Sequence, residues 1–232
     1  MKNLKQIIFT TLSTLAFGNS FAQSAFEGPF VQGALGYTNV SPKFNESLTV
    51  GTQTASPQNI NADNLSVLTG NVGAGYNFFI APKFLLGVSV DFMPIASGSA
   101  KTSISFPNSF GVVLPSSISG SYQMKNPYNI SLIPGYELSK DQVIYGKVSY
   151  TGATVIYSDS VTPATSANMT GYTLGLGYKQ ALENKLYVFA EGLYTKFQDQ
   201  TVSMTGPAGI SSFTLTAGAS GYTLLVGAGY RF

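Results

Sequence analysis

Histidine, cysteine and tryptophan are all missing from this chain. Without cysteine there is neither a disulfide framework nor thiol chemistry, and without histidine no imidazole can hold a metal or activate one of the many serines. No Gly-x-Ser-x-Gly elbow occurs either. Charged residues make up only 9% of the sequence, against about a quarter in an ordinary globular domain, so something other than water covers part of this surface. No later stretch approaches the run of about 20 apolar residues that a membrane-spanning helix needs. A formal charge of +2 provides no electrostatic footprint for nucleic acid, and the Gly-x-Gly pairs open no helix, which excludes a phosphate loop. Asn45, Asn64, Asn129 and Asn168 sit in Asn-x-Ser/Thr triplets, which are short enough to arise by chance.

What is present begins with a targeting pattern. Lys2 and Lys5 precede an apolar run from Ile7 to Phe17, and Ser20-Phe21-Ala22 sets small residues where a signal peptidase reads. Cleavage is expected between Ala22 and Gln23, giving a signal peptide at 1–22 and a single domain at 23–232. Removing Lys2 and Lys5 cancels the net charge.

The last stretch, Gly221 to Phe232, alternates strictly. Tyr222, Leu224, Val226, Ala228, Tyr230 and Phe232 share one face, while Gly221, Thr223, Leu225, Gly227, Gly229 and Arg231 share the other. Such a strand presents an apolar surface to one side and a narrow, largely polar space to the other. The ending recurs: Tyr76, Tyr136, Tyr178 and Tyr230 each follow a glycine at the end of an alternating run, at spacings of 60, 42 and 52 residues. The repeating unit is therefore a hairpin of two strands, and four units predict eight strands.

In chain order the strands are expected at about 30–40, 65–78, 84–94, 122–136, 143–151, 169–178, 186–197 and 221–232. Between them, short turns at 79–83, 137–142 and 181–185 alternate with long polar loops at about 41–64, 95–121, 158–168 and 198–219. On the fourth strand Tyr122, Met124, Tyr128, Ile130 and Leu132 are placed on the apolar face, opposite Gln123, Lys125, Asn129 and Ser131. The loop at 95–121, with Phe106, Phe110 and Val112 to Leu114, reads as a raised hairpin or a cap over the mouth. Charges avoid the apolar faces at mid-depth. This predicts a closed, antiparallel, up-and-down transmembrane β-barrel with a lipid-facing outside, short periplasmic turns and long extracellular loops.

A barrel of eight strands is just wide enough for side chains to fill it. Asp91, Lys125, Lys147 and Glu191 all fall on the inward phase. Lys147 and Glu191 stand at similar heights, with Gly175 and Gly177 on the strand between them leaving room to meet, so a buried ion pair is expected. A proton or ion relay through Asp91, Lys147 and Glu191 is the alternative.

The Gly-x-Gly-Tyr strand ends, the terminal Gly-Tyr-Arg-Phe and the signal peptide together resemble the small outer-membrane β-barrels that include the opacity proteins, the OmpX-like proteins and the membrane domain of OmpA. The resemblance covers nearly all of 23–232. It implies residence in the outer membrane of a Gram-negative bacterium, contact with its lipid and lipopolysaccharide, and recognition of the C-terminal strand, with Tyr230 and Phe232, by the assembly machinery. The family's lipid-modifying enzymes need histidine, so neither their activity nor any cofactor carries over. The expected function is non-enzymatic: envelope integrity or surface interaction, with an extracellular ligand met through the loops. A narrow small-solute channel of the OmpW type is the alternative.

Overall fold

The computed structural model describes residues 24–50, 53–55, 59–95, 98–105, 117–159, 164–204 and 212–232. The signal segment, with Ala22 and Gln23, and the hydrophobic residues at 106, 110 and 112–114 lie outside them. Twelve strands run in chain order: β1 (Gly28–Val50), β2 (Gln53–Ala55), β3 (Asn59–Ala62), β4 (Leu65–Ala81), β5 (Phe84–Ile95), β6 (Ser99–Ser105), β7 (Ser117–Ser139), β8 (Gln142–Asp159), β9 (Thr165–Ala181), β10 (Leu186–Phe197), β11 (Gln200–Met204) and β12 (Ser212–Arg231). Eight of them, β1, β4, β5, β7, β8, β9, β10 and β12, form an antiparallel ring. The ring closes where β12 pairs with β1, from Phe30 opposite Arg231 to Thr49 opposite Ser212.

Alternation decides which way each side chain points. Val88, Val90, Ile130, Leu132, Val148, Leu174, Leu224 and Val226 are all exposed on the outer wall. In water this surface would be a severe aggregation hazard, whereas in lipid it is the solvated face. Two aromatic girdles bound the belt. One holds Tyr128, Tyr150, Tyr172, Tyr194 and Tyr222, and the other holds Phe84, Tyr136, Tyr178, Tyr230 and Phe232. Strand pairing keeps each girdle level: Tyr150 lies opposite Tyr172, Tyr194 opposite Tyr222, and Phe84 opposite Tyr136. The eight-residue step from Tyr222 to Tyr230 spans roughly 20 Å of membrane at the usual rise and tilt of barrel strands.

The periplasmic turns are short, as the alternation predicts. Lys83, Asn184 and Lys185 adopt positive φ of 68°, 59° and 66° to close two of them. In the third, Ser139 and Gln180 donate hydrogen bonds to the exposed Asp141, and these hold its carboxyl below the ordinary range.

Two expectations need correction. The segments at 41–64, 158–168 and 198–219, expected as long polar loops, are partly paired strand where they are described, whereas at 95–121 the expected raised hairpin is present. β1 and β12 stay paired as far as Thr49 and Ser212, and β6 forms the raised hairpin with β7 from Ser99 opposite Gln123 to Ser105 opposite Ser117. Second, Lys125 is not in the lumen. A β-bulge between Lys125 and Tyr128 puts one extra residue on β7, with Asn126 at φ 51°. One extra residue reverses the alternation. Above the bulge Tyr122 and Met124 therefore turn inward and are buried, and Gln123 and Lys125 turn out and are exposed.

Candidate functional site in the barrel lumen

The lumen is filled in layers. Lowest is an aromatic plug. The segment before β1 folds back across the periplasmic mouth and buries Phe26 beside Phe30, Tyr145, Tyr187 and Phe189. Side chains from β4, β7 and β12 hold it there. Arg231 Nη1 donates to the carbonyls of Ser24 (3.1 Å) and Glu27 (3.2 Å), Asn77 Nδ2 donates to the Phe26 carbonyl (2.8 Å), and the Ser24 hydroxyl donates to Glu137.

Within the plug sits a cation that the sequence reading passed over. Lys179 continues the inward phase of β9, and its Nζ lies 4.5 Å from the centre of the Phe30 ring, 4.9 Å from Tyr187 and 5.2 Å from Tyr145. The negative faces of three rings replace part of the water that a buried ammonium loses. The available signal was its spacing from Gly175 and Gly177.

Above the plug is the charged layer. Lys147 Nζ stands 3.0 Å from Asp91 Oδ2 and 3.4 Å from both oxygens of Glu191. All three side chains are almost completely buried. Asp91 is thus the nearer partner, and the arrangement is a triad and not a pair. Ser89 donates to Asp91 Oδ2 (3.0 Å), Ser131 donates to the same oxygen (3.4 Å), and Gln32 donates to Oδ1 (3.4 Å). Tyr145 donates its hydroxyl to Glu191 Oε1 (2.9 Å), and Tyr187 donates to Gln32 (3.1 Å). Two carboxylates and two lysines leave this half of the lumen neutral, with both carboxylates hydrogen-bonded, which a buried ion cluster requires if it is to persist.

Glycines make the room. Gly73 lies opposite Asp91, and a Cβ on it would come 2.3 Å from Asp91 Oδ1. Gly177 lies opposite both Tyr145 and Glu191, and a Cβ there would strike the Tyr145 ring at 2.2 Å. The space between β8 and β10 is therefore taken by Tyr145, the hydroxyl that orients Glu191.

Next comes a belt of hydroxyls. Thr151, Thr173 and Thr195 are linked at 2.6 and 2.7 Å, Thr151 donates to Asn129 at 2.6 Å, and Thr38 meets Thr223 at 2.9 Å. Leu225, 1% exposed, lies lower, opposite Glu191, and joins the buried cluster of Phe26, Phe30 and Tyr187. Above this belt is a small cavity of about 40 Å³, walled by Val40, Leu65, Met93, Met124 and Phe197. Thr69 Oγ1, on its lining, makes no hydrogen bond among the described residues.

A closed antiparallel ring with lipid-facing side chains outside, a packed and largely hydrogen-bonded polar core inside and two aromatic girdles defines a transmembrane β-barrel of the bacterial outer membrane. The chain belongs to the outer membrane protein beta-barrel domain family, whose model matches residues 7–232. No curated protein matches the sequence. Among solved structures it is similar to the outer membrane protein OprG from Pseudomonas aeruginosa, at 15% identity and a TM-score of 0.61 over 90% of this chain and 99% of that one. Ail, the attachment invasion locus protein of Yersinia pestis, matches at 19% identity and a TM-score of 0.41, over 89% and 100%. The Neisserial surface protein A matches at 10% and 0.41, over 89% and 98%. Identities this low speak to the fold alone; the family sets the location, the outer membrane of a Gram-negative bacterium.

Proposed function

We propose that this protein is a non-conducting, non-enzymatic barrel that presents strands and loops at the cell surface, serving envelope integrity and contact with extracellular ligands. The filled lumen is the observation that carries this reading. The plug, the triad with Leu225 beside it and the hydroxyl belt of Thr151, Thr173 and Thr195 occupy a bore that is narrow by strand number alone. Binding capacity therefore belongs outside, where β1, β7, β8 and β12 run well beyond the tyrosine girdle as paired strands. These give the loops a stiff base, which lowers the entropy lost when a loop meets a partner. The family's assembly machinery would read the terminal strand with Tyr230 and Phe232, and a signal peptidase would act between Ala22 and Gln23.

The small cavity favours the channel reading only for its outer half, since a solute resting there still faces Leu225 and the triad below. The test compares host-surface or matrix binding by cells bearing the intact protein with binding by cells whose four long loops are cut back to the paired strands. Loss of binding with unchanged barrel folding supports surface presentation. Equal binding by both overturns it.

A further inference from the structure

The residues just before β1 are built to move as a unit. Glu27 N donates to the Ser24 carbonyl (3.5 Å) and Phe26 N donates to the Ser24 hydroxyl (3.1 Å), so residues 24–27 form a closed turn of their own. They take no part in the wall, whose β1 ladders begin at Gly28 opposite Asn77 on one side and at Phe30 opposite Arg231 on the other. Gly28 joins turn to wall at φ 108°, a backbone conformation that a residue with a side chain rarely adopts. The chain therefore folds back at a glycine hinge.

What holds this turn down differs from what holds a strand. Among the described residues the wall grips it through side chains alone: Asn77 of β4, Glu137 of β7 and Arg231 of β12. Arg231 stands at the end of the last strand, and both described acceptors of its guanidinium are carbonyls of the turn. It reaches them only where β12 has paired with β1. Apolar contact supplies the rest, since Phe26 stands edge-on to Tyr187 at 6.5 Å and lines, with Leu85, Ile133, Val143 and Lys179, a cavity of about 10 Å³. Leu85, Ile133 and Val143 would meet water if Phe26 swung out, which keeps the turn seated at rest.

We propose that residues 24–27 are a strap, hinged at Gly28, that seats after β12 closes on β1 and seals the periplasmic mouth, and whose release opens the lower lumen while the wall stays folded. Seated, it covers the ring cage of Lys179. Released, it leaves a mouth walled by Leu85, Ile133 and Val143 that periplasmic water and small solutes enter as far as the triad.

The chain contains no cysteine, so a single reporter thiol can be placed under the strap. Leu85→Cys lies beneath Phe26, and Ala153→Cys, buried in the outer half of the lumen, is the control. Each protein is treated with a water-soluble maleimide in detergent micelles, and heat-modifiable migration confirms that the labelled barrel is folded. With the native strap, Leu85→Cys should react slowly. Adding Phe26→Ala, Gly28→Ala or Arg231→Gln should raise its rate about tenfold, as expected when a local opening becomes easier, and leave the rate at Ala153→Cys unchanged. A second measurement needs no strap variant: during refolding of the Leu85→Cys protein, the folded band should appear before the thiol becomes protected. Equal rates with and without the strap substitutions overturn the proposal, and so does an equal rise at Ala153→Cys, which would report general loosening of the barrel. Protection that precedes the folded band overturns it as well.

Discussion

Replacing Lys147 with methionine is the most demanding perturbation of the lumen. The change keeps much of the side-chain volume but strands two carboxylates, Asp91 at 3.0 Å and Glu191 at 3.4 Å, in a layer with almost no solvent access. Removing one partner of a buried ionic group typically costs about 3 to 5 kcal/mol, because the remaining charge has lost its water and its counterion together. Glu191→Gln should cost less, about 1 to 3 kcal/mol, since Tyr145 can still donate to the amide oxygen and Lys147 keeps Asp91. The Lys147→Met/Glu191→Gln protein should recover only part of the loss, because Asp91 remains charged beside Ser89, Ser131 and Gln32. Adding Asp91→Asn should bring the triple variant back to within about 2 kcal/mol of wild type. Urea unfolding from lipid vesicles reads all four. A Lys147→Met loss under 1 kcal/mol, or losses that simply add across the three sites, would show that the triad does not hold together in the folded barrel.

Other expectations follow from facing, the chain end and the turns. Val88→Arg, Leu174→Arg and Leu224→Arg put charge on the lipid face and should each cost about 2 to 4 kcal/mol near the midplane in vesicle unfolding, while Thr173→Arg is limited by crowding among Thr151 and Thr195. Phe232→Asp should sharply reduce the heat-modifiable, folded fraction in outer membranes, because the Phe232 amide bonds to the Pro29 carbonyl at the closing seam and its exposed ring belongs to the periplasmic girdle. Asp141 has a folded pKa below its unfolded value, so its contribution is present above the usual carboxylate range near 4 and lost as pH falls through the folded value. Asp141→Asn should flatten the acid limb of unfolding below about pH 4 and leave neutral pH nearly unchanged.

Period-two alternation was enough to show the strands inside the membrane, because lipid on one side and a packed lumen on the other force opposite chemistry onto successive residues. Leu174 and Thr173 are adjacent, one exposed and one 1% exposed, for that reason alone. Beyond the tyrosine girdle both faces meet polar surroundings, the contrast vanishes, and 41–50 or 212–219 reads as loop although it is paired sheet. Asn126-Pro127 was the visible mark of the bulge, since a proline inside a ladder removes a donor. Pattern alone did not say that one inserted residue would send Lys125 out and bring Tyr122 and Met124 in. In the lumen, phase placed Asp91, Lys147 and Glu191 on the inner face but not in one contact, which depends on the stagger of β5, β8 and β10 around the ring. Lys179 was missed because it stands near the turn at 181–185, where a lysine normally reaches water, and only the folded-back Phe26 closes that end over it.

The central claim is that the bore is closed, and single-channel recording with the purified protein in planar bilayers tests it most directly. No steady unitary conductance is expected in 1 M salt for protein that heat-modifiable migration shows to be folded, because the plug and the Asp91–Lys147–Glu191 layer put buried, mutually bonded side chains across the bore. Reproducible open steps from such protein would contradict it.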